Sequence, residues 1–160
     1  MIRMNVQGLT IDPASNSPIL ILKETDGEAT LPIWIGLLEA TAIASELEKV
    51  AFSRPMTHDL LRNLIALLGS RVERVEVVDL KENTFYALIH LMGPQGAMSV
   101  DSRPSDAIAL ALRSEAPIFV ARRVLERAGA AGKAESEDAE QKWKDLLDKM
   151  DPEDFGKYKM

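Results

Sequence analysis

The chain has 160 residues, of which 19 are lysine or arginine and 25 are aspartate or glutamate, giving a formal net charge of −6. It contains no cysteine, which excludes disulfides and thiolate metal sites and suits a reducing compartment. The acidic balance argues against tight, non-specific binding to a phosphate backbone, although it leaves room for a nuclease with a local basic patch.

The N-terminal third predicts three strands. Apolar and polar residues alternate over residues 3–12, as in a half-buried strand, and the apolar run over residues 19–22 predicts a second. A tight turn then leads into a third strand over residues 30–35. Pro32 places this strand at a sheet edge, because proline has no N–H to donate to a ladder.

Two helices follow. Apolar residues recur at helical spacing over residues 36–51 and again over residues 57–68. The second helix carries an apolar stripe of Leu60, Leu61, Leu64, Ile65 and Leu68. Gly69 stands where a helix end favours a left-handed residue.

The next part of the chain predicts a β-hairpin, a short strand, a helix rich in alanine and leucine, a brief strand and a short helix, over residues 72–92, 97–100, 104–115, 117–120 and 121–128. The alanine- and leucine-rich helix has few polar residues, so we expect it to be buried on several sides.

These elements predict one compact α+β domain over residues 1–128, with an antiparallel or mixed sheet and three main helices. Residues 129–136 are rich in glycine and alanine and predict a flexible linker. Residues 137–160 predict a charged C-terminal helix and tail, with Trp143 on the apolar side of that helix. We expect this tail to bind an unidentified protein.

The N-terminus lacks the basic and apolar regions of a signal peptide. Charged residues or prolines interrupt every apolar stretch well before the roughly 20 residues that cross a bilayer. We therefore predict a cytoplasmic protein without a membrane segment.

One short pattern occurs twice. Residues 54–59 (RPMTHD) and 103–106 (RPSD) each place Arg-Pro before a hydroxyl residue, an aspartate and the first apolar turn of a helix. Proline favours the first helical turn, hydroxyl side chains cap N–H groups, and aspartate complements the helix dipole. Capping alone therefore explains Thr57 and Ser105 as well as a chemical role does.

The chemical alternative treats both helix starts as parts of one phosphate site. Helix N-termini favour anions, and Arg54 and Arg103 would add bidentate clamps, with Thr57 and Ser105 as further phosphate contacts. His58 would move a proton, because imidazole exchanges protons near neutral pH.

Carboxylates near these motifs complete the candidate set. Asp59, Asp101 and Asp106 are candidate catalytic residues and candidate ligands for Mg²⁺ or Mn²⁺, which prefer oxygen donors. Glu39 is a further catalytic candidate. The alternatives are a hydrogen-bonded histidine at a helix start for His58 and a first-turn acid for Glu39. No motif indicates an organic cofactor, and none is expected.

Several segments together resemble the bifunctional nuclease domain family over roughly residues 1–128: Ile35-Gly36 with Glu39-Ala40, then residues 54–60 (RPMTHDL), 84–87 (TFYA) and 101–111 (DSRPSDAIALA). The resemblance implies an α+β domain that self-associates and cleaves both DNA and RNA. It also implies that the charged C-terminal segment corresponds to a helical extension found in some relatives. Which candidate residues are catalytic stays open.

Two functions follow from these observations. The first is a nuclease that hydrolyses DNA and RNA with little sequence preference, assisted by a divalent metal. The second is a non-catalytic homo-oligomeric interaction or regulatory module. The acidic balance and an aromatic content of only 5% favour the second, because few side chains can stack on bases. The family resemblance favours the first.

Burial discriminates between these functions. Closed, inaccessible Arg54–Asp106 or Arg103–Asp59 pairs would be structural ties, whereas an open cleft lined by the same residues would favour the nuclease. The apolar faces of the second helix and of the helix around Trp143 predict a homo-oligomer, either a dimer or a trimer.

Overall fold

The structure is a computed structural model that describes residues 1–129. Most of the predicted linker, together with the predicted C-terminal helix and tail, lies outside the described residues. The strands are β1 (Ile2–Ile11), β2 (Pro18–Glu24), β3 (Thr30–Trp34), β4 (Arg71–Lys81), β5 (Thr84–Gly93), β6 (Gly96–Ser102) and β7 (Ile118–Val120). The helices are α1 (Leu37–Leu47), α2 (Thr57–Leu67), α3 (Pro104–Ser114) and α4 (residues 122–129).

The strands form one mixed sheet in the order β3-β2-β1-β7-β4-β5-β6. Neighbouring strands are antiparallel except for β4 and β7, which are parallel. The predicted α+β class and mixed sheet are confirmed. Pro32 lies on the edge strand β3, as its missing N–H predicts.

One face of the sheet packs against helices to form the core. Along β4, Val75 and Val77 are buried, and they join Ile43 of α1 and Ile108 of α3 in a single apolar cluster. Eight of the 11 residues of α3 are buried, which confirms that this helix is enclosed on several sides. The core thus fixes α1 beside α3, and α2 packs against α3 as well.

The first helix is shorter than its pattern predicts. Its apolar spacing continues to residue 51, but α1 ends at Leu47 and Lys49 adopts a left-handed conformation with φ of 54°. The Val50 N–H bonds back to the Ser45 carbonyl, which closes a helix C-terminal motif. Residues 48–56 therefore form a loop that leads to Pro55 and α2.

The apolar stripe of α2 faces outward. Only His58 is buried in this helix. Of the predicted stripe, Ile65 is half-buried, whereas Leu60, Leu61, Leu64 and, just beyond the helix, Leu68 are exposed, as is Leu67. Gly69 has φ of 76°, as expected for the left-handed residue after a helix. None of the helices in residues 1–129 is both long and apolar enough to cross a bilayer.

Candidate active site

Both Arg-Pro segments lead into helices. Their hydroxyl residues, however, are not the N-caps of those helices. The N-cap positions are Met56 for α2 and Arg103 for α3. Thr57 is therefore the first residue of its helix and Ser105 the second of its own, and neither occupies the cap. Thr57 is exposed and Ser105 is buried. The cap of α2 is instead closed by the Met56 N–H, which donates to Asp59 Oδ2 at 3.0 Å.

Four of the candidate residues form a continuous chain of polar contacts, called here the His58 cluster: Glu39, His58, Arg103 and Asp106. His58 Nε2 lies 3.0 Å from Asp106 Oδ1. Arg103 donates from Nε and Nη2 to Asp106 Oδ2, at 3.0 and 2.9 Å, and from Nη1 to Glu39 Oε1 at 2.8 Å. The cluster thus joins the starts of α1, α2 and α3.

The cluster is enclosed at His58 and open at Arg103. His58 is 8% exposed, whereas the Arg103 side chain is 64% exposed. A guanidinium has five N–H donors, and three of those on Arg103 are used within the cluster, so two remain for another acceptor. His58 Nδ1 has no hydrogen-bond partner within residues 1–129, so this ring nitrogen is not engaged by the cluster.

The contacts within the cluster favour the charged forms of Glu39 and Arg103. The hydrogen bond from its own backbone N–H, with the adjacent Arg103, lowers the pKa of Glu39 below its ordinary value. Glu39 and then Asp106 raise the pKa of Arg103. Arg103 therefore stays a cation and Glu39 an anion over the whole physiological range.

Asp59 lies outside the cluster. Its Oδ1 accepts a hydrogen bond of 2.9 Å from Arg113 Nε, and the Arg113 side chain is only 2% exposed. Arg113 also donates to the carbonyls of Ala109 and Ala42, both at 2.9 Å. This buried arginine ties α1, α2 and α3 together, so the contacts assign Asp59 a structural role.

Neither of the two discriminating pairs forms among the described residues. Asp106 pairs with Arg103 instead of Arg54, and Asp59 pairs with Arg113 instead of Arg103. The observed Asp106–Arg103 pair is open to solvent, whereas the observed Asp59–Arg113 pair is enclosed. By the burial criterion, the pair at Asp59 is a structural tie, and the pair at Asp106 lines an accessible surface.

The ionisation of Asp59 should make the free energy of unfolding depend on pH in the acidic range. Burial raises the pKa of Asp59, but the Met56 N–H and Arg113 outweigh it and hold the pKa below its ordinary value of 3.8. A depressed folded pKa gives stability that is complete above pH 3.8 and is lost as pH falls through the folded pKa. We expect the stability difference between wild type and Asp59→Asn, measured by urea unfolding, to shrink as pH falls through this range.

The matched control for that titration is Glu28→Gln, since Glu28 is exposed and forms no ion pair within residues 1–129. Its stability difference from wild type should be small at every pH. A difference for Asp59→Asn that stays constant from neutral to acidic pH would contradict a depressed pKa at Asp59.

The remaining candidates lie apart from the cluster. Asp101 is exposed on the edge strand β6, opposite Leu88, and has no ion-pair partner in the described part of the chain. Arg54 is exposed in the loop between α1 and α2. The cluster thus brings together Glu39, His58, Arg103 and Asp106, but not Asp101 or Arg54.

The predicted metal ligands are not grouped. Residues 1–129 contain no set of three histidine or acidic side chains placed to hold one ion. Asp106 is already bonded to His58 and Arg103, and Glu39 Oε1 is bonded to Arg103, so these carboxylates are engaged with side chains of the protein. The side chains as they stand do not form a site for Mg²⁺ or Mn²⁺, and a metal requirement stays a prediction.

A cavity of about 280 Å³ opens beside Asp59. The end of α1, the loop 48–56, the first turns of α2 and Arg113 of α3 surround it, and its lining includes Phe52, Arg54 and Arg62. Sequence reasoning placed Arg54 near phosphate but missed Phe52, Arg62 and Arg113. An arginine inside a helix predicted to be buried is a usable signal, because such a cation needs a carboxylate partner.

Comparison with known proteins gives consistent results. The sequence profile of the bifunctional nuclease domain matches residues 20–133. An uncharacterized protein of Mycobacterium tuberculosis is 43% identical over 161 residues, covering 95% of this chain and 96% of its own length. Bifunctional nuclease 2 of Oryza sativa subsp. japonica is 29% identical over 122 residues, which are 74% of this chain and 38% of that protein. Bifunctional nuclease 1 of Arabidopsis thaliana is 28% identical, covering 72% of this chain and 37% of that protein.

Proposed function

The chain belongs to the bifunctional nuclease domain family, and on this basis we propose that it hydrolyses phosphodiester bonds of both DNA and RNA with little sequence preference. The observation that carries the proposal is the 3.0 Å contact between His58 and Asp106, oriented by Arg103. The plant relatives that bear the name bifunctional nuclease are much longer than the matched region. Their activity therefore supports this proposal by analogy.

In the proposed reaction His58 acts as the general base. A water oxygen forms a new bond to phosphorus while its proton passes to His58 Nδ1, the ring nitrogen that Asp106 does not contact. The P–O ester bond breaks, and the departing oxygen takes a proton from solvent. Asp106 accepts the Nε2–H of His58 and stabilises the imidazolium that forms, as the carboxylate does in other histidine–aspartate pairs.

Arg103 supplies the electrostatic part of the reaction. Its two uncommitted N–H donors would bind a non-bridging phosphate oxygen and stabilise the charge that develops on it. Glu39 and Asp106 hold the guanidinium in place before substrate arrives. Attack by water rather than by a ribose hydroxyl is what allows the same site to act on DNA, which lacks the 2′-hydroxyl.

Cleavage of labelled single-stranded DNA and RNA by purified protein tests the proposal, in Mg²⁺, in Mn²⁺ and in EDTA. We expect both substrates to be cut, since the cluster addresses phosphate and not the bases. Cutting that persists in EDTA would assign the chemistry to the side chains alone, whereas dependence on a metal would support the predicted cation. Absence of cutting in all three conditions would contradict a nuclease.

The exposed leucines of α2 favour a second property, homo-oligomerisation into a dimer or trimer. Leu60, Leu61, Leu64, Leu67 and Leu68 form an apolar surface larger than isolated exposed residues explain. The same surface is the observation that favours the alternative function, a non-catalytic interaction module. The two functions predict different results in the cleavage assay, but both predict that this surface forms a contact between protomers.

We expect Leu61→Glu with Leu64→Glu to convert an oligomer into a monomer, because two carboxylates would have to be buried in the contact. Light scattering after size exclusion measures the mass directly. Gln95→Glu, an exposed change in the turn between β5 and β6, serves as control and should leave the mass unchanged. A monomeric wild type would refute oligomerisation through this surface.

A further inference from the structure

We propose that the cavity beside Asp59 binds one nucleotide of a single strand, with its phosphate on Arg54 and Arg62 and its base against Phe52. This assignment rests on the proposed nuclease function and deepens it by giving the substrate a binding pocket outside the His58 cluster. The nucleotide pocket is lined by residues that include Ser45, Phe52, Ser53, Arg54, Arg62 and Asn63.

The charges around the pocket favour an anion. Of the two acidic residues in its lining, Asp59 is paired with Arg113 at 2.9 Å and Glu46 with Lys49 at 3.4 Å. Within residues 1–129, no carboxylate lies within ion-pair distance of Arg54 or Arg62.

The pocket thus carries two cations without an ion-pair partner in residues 1–129, on a chain whose net charge is −6; one of them, Arg62, donates to the Arg113 carbonyl and to Asn63 Oδ1, and its charge also helps to lower the pKa of Asp59. Both are arginines, whose planar guanidinium groups suit phosphate recognition. These local positive charges would attract a phosphate group even though the chain as a whole is acidic.

The walls of the pocket favour a nucleotide over a bare phosphate. Phe52 is 48% exposed although it is large and apolar, and it lines the same cavity as the two arginines. Aromatic rings of this kind stack on bases without selecting among them. Ser45, Ser53 and Asn63 add hydrogen-bonding groups at the same cavity. An apolar wall with a few convergent polar groups is the usual composition of a small-ligand site.

The position of the pocket fits a strand that also reaches the His58 cluster. Asp106 of the cluster and Arg113 of the pocket lie seven residues apart on α3, or about 10 Å along the helix axis at 1.5 Å per residue. A stacked strand covers this distance in about three nucleotides. A nucleotide held in the pocket would therefore keep a nearby phosphate at the cluster.

Fluorescence polarisation with a labelled phosphorothioate oligothymidylate, which resists cleavage, tests the pocket directly. We expect Phe52→Ala to weaken binding about 5- to 150-fold, the range for loss of one stacked base. Arg62→Gln should also weaken binding and reduce the slope of log K against log salt by about 1. The matched control is Arg71→Gln, an exposed arginine on β4 outside the pocket.

Each outcome decides a separate point. Variants that remain folded by circular dichroism yet bind as wild type would overturn the pocket, even if the protein cuts nucleic acid. Weakened binding by the variants, together with a wild type that cuts nothing, would support the pocket and contradict the nuclease. Competition by thymidine monophosphate distinguishes the source of the nucleotide: equal affinity for monophosphate and oligonucleotide would overturn a strand as the ligand, and much tighter binding of the oligonucleotide would support it.

Discussion

Replacing Asp59 with alanine is expected to lower the free energy of unfolding by about 3 kcal/mol, because the change leaves the Arg113 cation buried without a counter-charge. The Arg113 side chain is 2% exposed and Asp59 supplies its only carboxylate within residues 1–129. Buried pairs that lose one partner cost about 3–5 kcal/mol. The low end applies because the Asp59 side chain is 22% exposed and water can enter through the adjacent cavity.

Urea unfolding at neutral pH measures this loss, with Arg103→Met as the control. Arg103 also pairs with carboxylates, those of Asp106 and Glu39, but its own side chain is exposed, and each exposed pair contributes about 0–1 kcal/mol. The double change Asp59→Ala with Arg113→Met should recover part of the loss, since replacing a whole buried pair by apolar groups is often tolerated. A loss below about 1 kcal/mol for Asp59→Ala would show that the pair is not enclosed in solution.

The order of elements was largely predictable from the sequence, because strands and helices follow from local periodicity. The strand that contains Pro32 lies at the sheet edge as its chemistry requires, and the helix enclosed in the core was recognisable from its alanines and leucines. The end of α1 was not predictable. Its apolar spacing continues past Leu47, but the left-handed conformation of Lys49 and the bond from Val50 to Ser45 end the helix.

The sequence predicted several residues of the candidate site, but it did not predict which side chains contact one another. Asp59 and Asp106 both occupy the third position of a helix that follows an Arg-Pro segment. The first nevertheless binds the buried Arg113 and the second the exposed Arg103, which separates a structural aspartate from a candidate catalytic one. That difference depends on how α1, α2 and α3 meet, and no local pattern contains it.

Replacing His58 with glutamine is expected to reduce the rate of nucleic-acid cleavage by about 10²- to 10⁴-fold, the usual contribution of a general base. Glutamine keeps a polar group of similar length next to Asp106 but cannot accept the proton of the attacking water. The measurement compares initial cleavage rates of wild-type and variant proteins purified in the same way on the same single-stranded substrate. Equal rates would show that the cutting comes from a contaminant or that His58 is not the base.

Two aspartates provide the matched comparison for His58. Asp106→Asn removes the anion that stabilises the imidazolium and releases Arg103 from one of its two partners, so the rate should also fall. Asp101→Asn should leave the rate unchanged, because Asp101 is exposed on β6 and contacts no member of the His58 cluster in residues 1–129. Loss of activity in Asp101→Asn alone would move the chemistry to the sheet edge, and would make the His58 cluster a tie between helix starts.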